Sequence, residues 1–193
     1  MRIVEYPHPA LRHVSKSIKR VDGELRDIVR EMFEIMYEAK GVGLAANQVE
    51  LPLRLFVCNV ESDPAAKDLE QVFINPVIGE RKGTAEAEEG CLSIPGFYAP
   101  VKRAERINVT AYNLSGQKFD GEIDDLYARV VQHETDHLDG ILFTDRLSTT
   151  GTMEAREVLE EFEYKFQSAR ERNEISSDEA IKRRLAEFEA KYC

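Results

Sequence analysis

Apolar residues first recur at helical spacing between about Glu24 and Ala39, where Leu25, Ile28, Val29, Met32, Phe33, Met36 and Tyr37 share one side of a 3.6-residue repeat. Asp22 stands where an N-cap is expected, and Gly41 follows the last turn. Upstream, Pro7 and Pro9 interrupt any regular element, so the opening segment reads as an irregular arm. Downstream the period shortens. The apolar runs at 53–60 (LRLFVCNV) and 72–80 (VFINPVIGE) read as strands. The alternating stretch 107–114 (INVTAYNL) finds a hairpin partner in 117–123 (QKFDGEI) across Ser115 and Gly116. Helical spacing returns from about Asp124 to Leu138 and stops at Gly140. From about Gly151 the chain is rich in Glu, Arg, Lys and Ala, and reads as one or two amphipathic helices with a break near 173–177. The second, Asp178 to Tyr192, carries one apolar stripe (Ile181, Leu185, Phe188, Tyr192) behind the capping candidates Ser176, Ser177 and Asp178. The pattern predicts an α+β fold: a mostly antiparallel sheet packed around a central helix, with an N-terminal helix and a C-terminal helical tail. It divides the chain into a domain over residues 1–150 and a helical extension over 151–193.

Composition narrows the function classes. With 193 residues the chain suits one domain with a hydrophobic core. The formal net charge of −10 offers no groove for a phosphate backbone and reads as solubility. No apolar run approaches the roughly 20 residues of a membrane span. The opening MRIVEYPHPALRHV lacks the apolar stretch of a secretory signal and any Arg/Ser-rich transit pattern. That favours the cytoplasm and leaves a mature organellar form open. Three cysteines, Cys58, Cys91 and Cys193, are too few and too odd for a disulfide framework and fit a reducing compartment.

The chemistry concentrates on His133-Glu134-Thr135-Asp136-His137, inside the predicted central helix. Residues i and i+4 lie one turn apart on one face, so the two imidazoles can share a metal ion while Glu134 reaches a water beside it. A catalytic site of this kind needs a third protein ligand and an open position. The extended protease motif puts a third histidine at the position held here by Phe143, which cannot ligate. His8 sits between two prolines and His13 lies in the arm; Glu157, Glu160 and Glu161 look like solvated helix charges. Cys91, in the glycine-flanked segment EEGCLSIPG, is the better candidate, because a thiolate suits Zn(II) or Fe(II). The glycines and proline of that segment read as a loop rather than a long strand. Cys58 sits in an apolar run and reads as a small buried hydrophobe. A third element, Gly41-Val42-Gly43-Leu44-Ala45-Ala46-Asn47-Gln48, has small residues for close backbone approach and an amide, Gln48, able to serve an oxyanion.

Taken together and in this order, GVGLAANQ, EGCLS and HETDH resemble the GxGxAAxQ, EGCxS and HExDH motifs of the peptide deformylases. The resemblance covers roughly residues 1–150, including the arm YPHPALRHVS. It implies that Cys91, His133 and His137 hold one divalent ion. That ion is Fe(II) natively in bacterial members, and Zn(II), Ni(II) or Co(II) could replace it in purified protein. It implies that Glu134 is the general base and acid, and that Gln48 and the backbone N–H of Leu92 stabilise the oxyanion. Val42, Gly43, Glu89 and Gly90 would line an extended substrate, and Leu126, Arg129 and Val130 a methionine slot, with the Arg129 charge paired elsewhere. The reaction implied is removal of the formyl group from the N-terminal methionine of nascent polypeptides, releasing formate, by attack of a metal-bound water or hydroxide. Asn47 occupies a variable motif position. Phe97 or Tyr98 stands where many bacterial members carry an arginine, which bears on how the far end of the substrate is gripped. Two rival readings remain: a metallopeptidase with a nonstandard third ligand, and a metal-stabilised binding module. The tail has three candidate occupants for its stripe: its own domain, a second copy of the chain, or the ribosome. Because no catalytic candidate lies beyond His137, removing the tail after Asn173 is expected to spare formate release.

Overall fold

The computed structural model describes residues 1–193, and its elements follow the hydrophobic period closely. The first helix, α1 (Gly23–Glu38), is capped by Asp22, whose side chain accepts from Leu25 N–H at 2.9 Å. Strands β1 (Gly43–Ala45), β2 (Leu55–Cys58), β3 (Gln71–Lys82), β6 (Arg106–Tyr112) and β7 (Lys118–Asp124) form one antiparallel sheet in the order β1-β2-β3-β6-β7. Strands β4 (Ala85–Cys91) and β5 (Ile94–Arg103) form a separate hairpin. Helix α2 (Asp125–Leu138) follows β7, and the tail forms α3 (Thr149–Glu171) and α4 (Asp178–Tyr192).

Alternation along the short central strands sets the layers. Leu44, Leu55, Val57 and Ile74 point to one face of the sheet and join Leu25, Val29, Met32, Phe33 and Met36 of α1 in one core. Ala45, Phe56, Cys58 and Phe73 point to the other face and pack with Ala128, Val130, Val131 and Leu138 of α2. Phe56 and Phe73 stack there at 4.6 Å between ring centroids. Every large side chain buried this way contributes about 1.5–3 kcal/mol, so α2 is fixed against a sheet face that cannot slip register without exposing it. A third core joins β5 to α3 through Ile94, Phe97, Val101, Phe143, Ala155 and Phe162.

One expectation is corrected. Residues 88–96 are not a loop: the segment is the closed end of the β4–β5 hairpin, with Glu89 opposite Ala99 and Gly90 opposite Tyr98. The hairpin tolerates its breakers because it stands apart from the main sheet and its register shifts between Gly90 and Cys91. The exposed Pro95 and Gly96 (φ 82°) take the irregular positions just after the turn.

The tail folds back on its own chain. In α4, Ile181 and Leu185 are buried on Ala10 of the arm, and Tyr192 lies in the α1 core with Phe188 packed beside it. The apolar stripe is therefore covered by residues 1–150. The N-terminal arm underneath ties the segments that carry the three motifs. Val4 N–H donates to Gln48 O (2.8 Å), Tyr6 N–H to Ser93 O (2.9 Å) and Ser15 N–H to Leu138 O (2.8 Å).

Candidate metal centre and active-site cleft

Three elements converge. Helix α2 turns His133, Glu134 and His137 toward β1, because Val130, Val131 and Leu138 are committed to the sheet. The end of β4 brings Gly90 and Cys91 over the helix. A short 3-10 turn after β1 (Ala46–Val49) brings Gln48. The ligating atoms of Cys91, His133 and His137 all lie within 4.8 Å of one another, and Cys91 Sγ is 3.2 Å from His137 Nε2.

One thiolate and two imidazoles in that spacing match the donor set of a tetrahedral site with one position left for a nonprotein group. The electrostatics fit too. Burial, reinforced by the neighbouring His133, holds the pKa of His137 well below the usual histidine range, which keeps the neutral, ligating form. For His133 burial pulls the same way but is outweighed by Cys91 and Glu89, which push its pKa up to about 10, so an ion must displace a proton there.

Glu134 is 4 % exposed, and its Oε2 is buried without a hydrogen-bond partner. Burial pushes its pKa up to about 7. A buried oxygen left without a partner calls for an explanation, and this one stands beside the Cys91–His133–His137 cluster. Gln48 is oriented by its neighbours: Ala45 N–H donates to its Oε1 at 2.9 Å, which turns the amide NH₂ inward. From there Gln48 Nε2 donates to Ser93 Oγ (3.1 Å) and reaches Cys91 Sγ at 3.5 Å.

The candidate ligand, catalytic and substrate-lining residues, His137 excepted, line one cavity of about 390 Å³; His137 lies behind it, almost fully buried. Leu126 is exposed at the mouth, and Val130 is buried. Arg129 lays its stem along the wall and spends its guanidinium on Glu89 Oε1 (2.5 Å), Val101 O (2.9 Å) and Ala85 O (3.0 Å). The Glu89 carboxylate is also engaged, so that residue has only its backbone left to offer a substrate. Burial alone would raise its pKa, but His133 and Arg103 outweigh that and hold it far below the usual range.

Sequence reasoning missed the network around Glu89. Arg103, 5 % exposed, donates from Nε and Nη2 to the two Glu89 oxygens (both 2.9 Å) and from Nη1 to Asp136 Oδ2. Arg146 forms a two-point pair with the same Asp136. Glu89 Oε2 meets His133 Nδ1 at 3.1 Å, the carboxylate–histidine contact that fixes a ligand's ring. Ser93 and Asn47 were missed as well: Ser93 accepts from Gln48, and Asn47 Nδ2 donates to His137 O. Ser93 closes the EGCLS motif, which marks its position though not its partner, and no signal marks Asn47. Arg103 does leave one, standing in phase with the inward-facing Phe97, Ala99 and Val101 of β5.

Comparison with known proteins agrees with this geometry. The polypeptide deformylase family profile matches residues 1–153. A peptide deformylase of Rhodopirellula baltica is 44 % identical over 195 aligned residues, covering 100 % of this chain and 95 % of its own. One of Neisseria gonorrhoeae is 49 % identical over 148 residues, 77 % of this chain and 87 % of its own. Among solved structures, Arabidopsis thaliana peptide deformylase 1B superposes with a TM-score of 0.84 at 39 % identity, over 92 % of this chain and 97 % of that one. A Plasmodium falciparum peptide deformylase gives 0.84 at 36 % identity, over 86 % and 98 %. No helix is long and apolar enough to cross a membrane. With the family profile over residues 1–153, a relative of the same name aligned along the whole chain and the fold of solved members reproduced, the chain belongs to the polypeptide deformylase family, hydrolases that remove N-formyl groups from nascent peptides.

Proposed function

We propose that this chain hydrolyses the formyl amide of an N-terminal formyl-methionine through the constellation Glu134, Gln48, Leu92, Cys91, His133 and His137. The observation that carries the reading is the buried, unpartnered Oε2 of Glu134 beside the Cys91–His133–His137 cluster. A divalent ion held by those three side chains supplies Lewis acidity and lowers the pKa of water toward about 7. Fe(II) is our choice for the resident ion, on the donor set and the family resemblance.

The chain's own residues do the rest. Glu134 takes a proton from the attacking water and returns it to the amine nitrogen as the formyl C–N bond breaks, giving formate and a free amino terminus. Gln48 Nε2 and the Leu92 N–H stabilise the charge that grows on the formyl oxygen. Losing one such donor typically costs about 100-fold to 1,000-fold. The peptide lies extended between the Val42–Gly43 backbone and the Glu89–Gly90 backbone. Its methionine side chain enters the slot of Leu126, Val130 and the Arg129 stem. The catalytic unit is residues 1–150, with 151–193 as a helical extension, and the compartment we propose is the cytoplasm.

The test is formate release from formyl-Met-Ala by anaerobically purified, metal-analysed protein, beside Glu134→Gln. The reading holds if the wild type releases formate without cutting internal peptide bonds, and Glu134→Gln keeps its metal but loses turnover. Internal cleavage would favour the metallopeptidase, and activity of Glu134→Gln within about tenfold of wild type would remove its role.

A further inference from the structure

The turn that presents Gln48 is closed by Glu50, whose backbone is left-handed (φ 60°, ψ 27°) and whose N–H donates back to Ala46 O and Asn47 O. A residue with a side chain holds that conformation only where its surroundings enforce it. The side chain of Glu50 is tied to the far end of the chain. Arg184 of α4 donates from Nη2 to Glu50 Oε2 at 2.5 Å, and its Nη1 is itself braced by Ser176 Oγ at 3.0 Å. On the other side, Glu50 Oε1 faces His8 Nε2 of the arm at 3.9 Å.

Arg184 stands on a seated helix. Ile181 and Leu185, on the same helix, are buried on Ala10, and Glu189 accepts from both His13 (2.7 Å) and Lys16 (2.5 Å). Only one residue separates Glu50 from Gln48, and Gln48 O is in turn tied to Val4 N–H. Helix α4, the arm and the Gln48 turn thus form one mechanical unit.

We propose that Arg184, acting through Glu50, is a positioning residue for Gln48, and that α4 is an accessory of the active site rather than a dispensable appendage. This reverses the expectation that loss of the tail spares turnover, and it rests on the deformylase reading above. Arg184 touches neither substrate nor metal ligands. Its loss alters the direction of the Gln48 amide, a group used as charge develops on the formyl oxygen, so the effect falls on kcat. The methionine slot, built from α2 and the Val42–Gly43 backbone, keeps its shape, so KM is preserved.

The experiment uses the full-length, metal-loaded chain and compares Arg184→Glu with the charge-swapped double variant Glu50→Arg/Arg184→Glu. Kinetics on formyl-Met-Ala, metal content and melting temperature are read in parallel with the Gln48 side-chain amide resonances in an ¹⁵N spectrum of the chain loaded with diamagnetic Zn(II), because paramagnetic Fe(II) would broaden signals so near the site. Arg184→Glu should lower kcat about fivefold, the size of effect an exposed ion pair can transmit, with KM within about twofold and metal retained. The Gln48 resonances should shift, and the double variant should return both them and kcat toward wild type. Unmoved Gln48 resonances in Arg184→Glu, a loss that falls in KM, or a swap that restores nothing would each overturn the proposal. If the wild type itself releases no formate, the deformylase reading fails, while the resonances still decide whether Arg184 positions Gln48.

Discussion

A methyl group built on Gly43 would lie 2.4 Å from Oε1 of Glu134 and 2.9 Å from its Cδ. The backbone of β1 and the proposed proton carrier of α2 are thus in direct contact, and the glycine is required by approach rather than by turn geometry. Both partners are hemmed in. Gly43 is paired with Cys58 in the sheet, and the Glu134 carboxylate is buried among Ala45, His133 and the β1 backbone.

Gly43→Ala should therefore displace the Glu134 carboxylate and cut kcat by about 100-fold, the low end of what a general acid–base group contributes. Metal content should stay at the wild-type level, because the methyl group meets none of the three proposed ligands. Gly23→Ala is the control, since a methyl group there meets nothing within 4 Å. Wild-type turnover in Gly43→Ala would mean that Glu134 tolerates displacement and that the contact is incidental.

The two inner cysteines should separate cleanly. Cys58 is fully buried in the sheet–α2 core, and burial pushes its thiol pKa far up, so it is a hydrophobe there. Cys91 is partly exposed and within hydrogen-bond distance of His137. Cys91→Ala should lower metal stoichiometry to a small fraction, whereas Cys58→Ala should keep it and lose only packing stability. Equal retention in both, measured by elemental analysis of purified protein, would take Cys91 out of the site.

Both long helices of residues 1–150 were legible because each buries one stripe, and the stripe is the signal. The same held for α4, where Asp178 to Tyr192 is the observed span. The juxtaposition of His133 and His137 was legible because residues i and i+4 share one helix face, and Glu134 because it stands beside the first of them. The β4–β5 hairpin was not, since Gly90, Pro95 and Gly96 look like loop residues in any window that ignores the partner strand. The Glu89–Arg103–Asp136–Arg146 network was not, since its members come from β4, β5, α2 and the 3-10 turn Phe143–Arg146 and meet only through tertiary packing. Arg184 and Glu50 lie 134 positions apart, beyond the reach of any local pattern.

Arg103 gives a stability prediction. It is the sole cation bridging the two buried carboxylates Glu89 and Asp136. Breaking a buried pair by removing one partner costs about 3–5 kcal/mol, which for a chain of this size lowers Tm by about 10 °C. Arg103→Met should show that drop in calorimetry. Arg103→Lys should recover only part of it, because an ammonium cannot reproduce the fork that spans Glu89. A Tm for Arg103→Met within about 2 °C of wild type would show that Arg129 and Arg146 suffice to hold the carboxylates.

The pH dependence of stability should carry the signature of Glu189. Burial raises the pKa of this carboxyl, but the hydrogen bonds from Lys16 and His13 outweigh it, and the folded value lies below the ordinary one. A carboxylate with a depressed folded pKa stabilises the protein above its unfolded pKa, and that stability is lost as pH falls through the folded value. Glu189→Gln removes the titration while keeping the shape. At pH 7 the variant should therefore melt below wild type, since Lys16 and His13 lose their shared anion. On acidification below the usual glutamate pKa of about 4.3 the gap between the two curves should close, because wild-type Glu189 becomes a neutral acid much like the amide. Glu187, exposed on the same helix without an ion partner, provides the comparison, and Glu187→Gln should leave Tm almost unchanged at pH 7. A Glu189→Gln gap as wide at pH 3 as at pH 7 would assign the loss to packing of the amide, and no gap at pH 7 would mean that the clamp on the arm adds nothing to the fold.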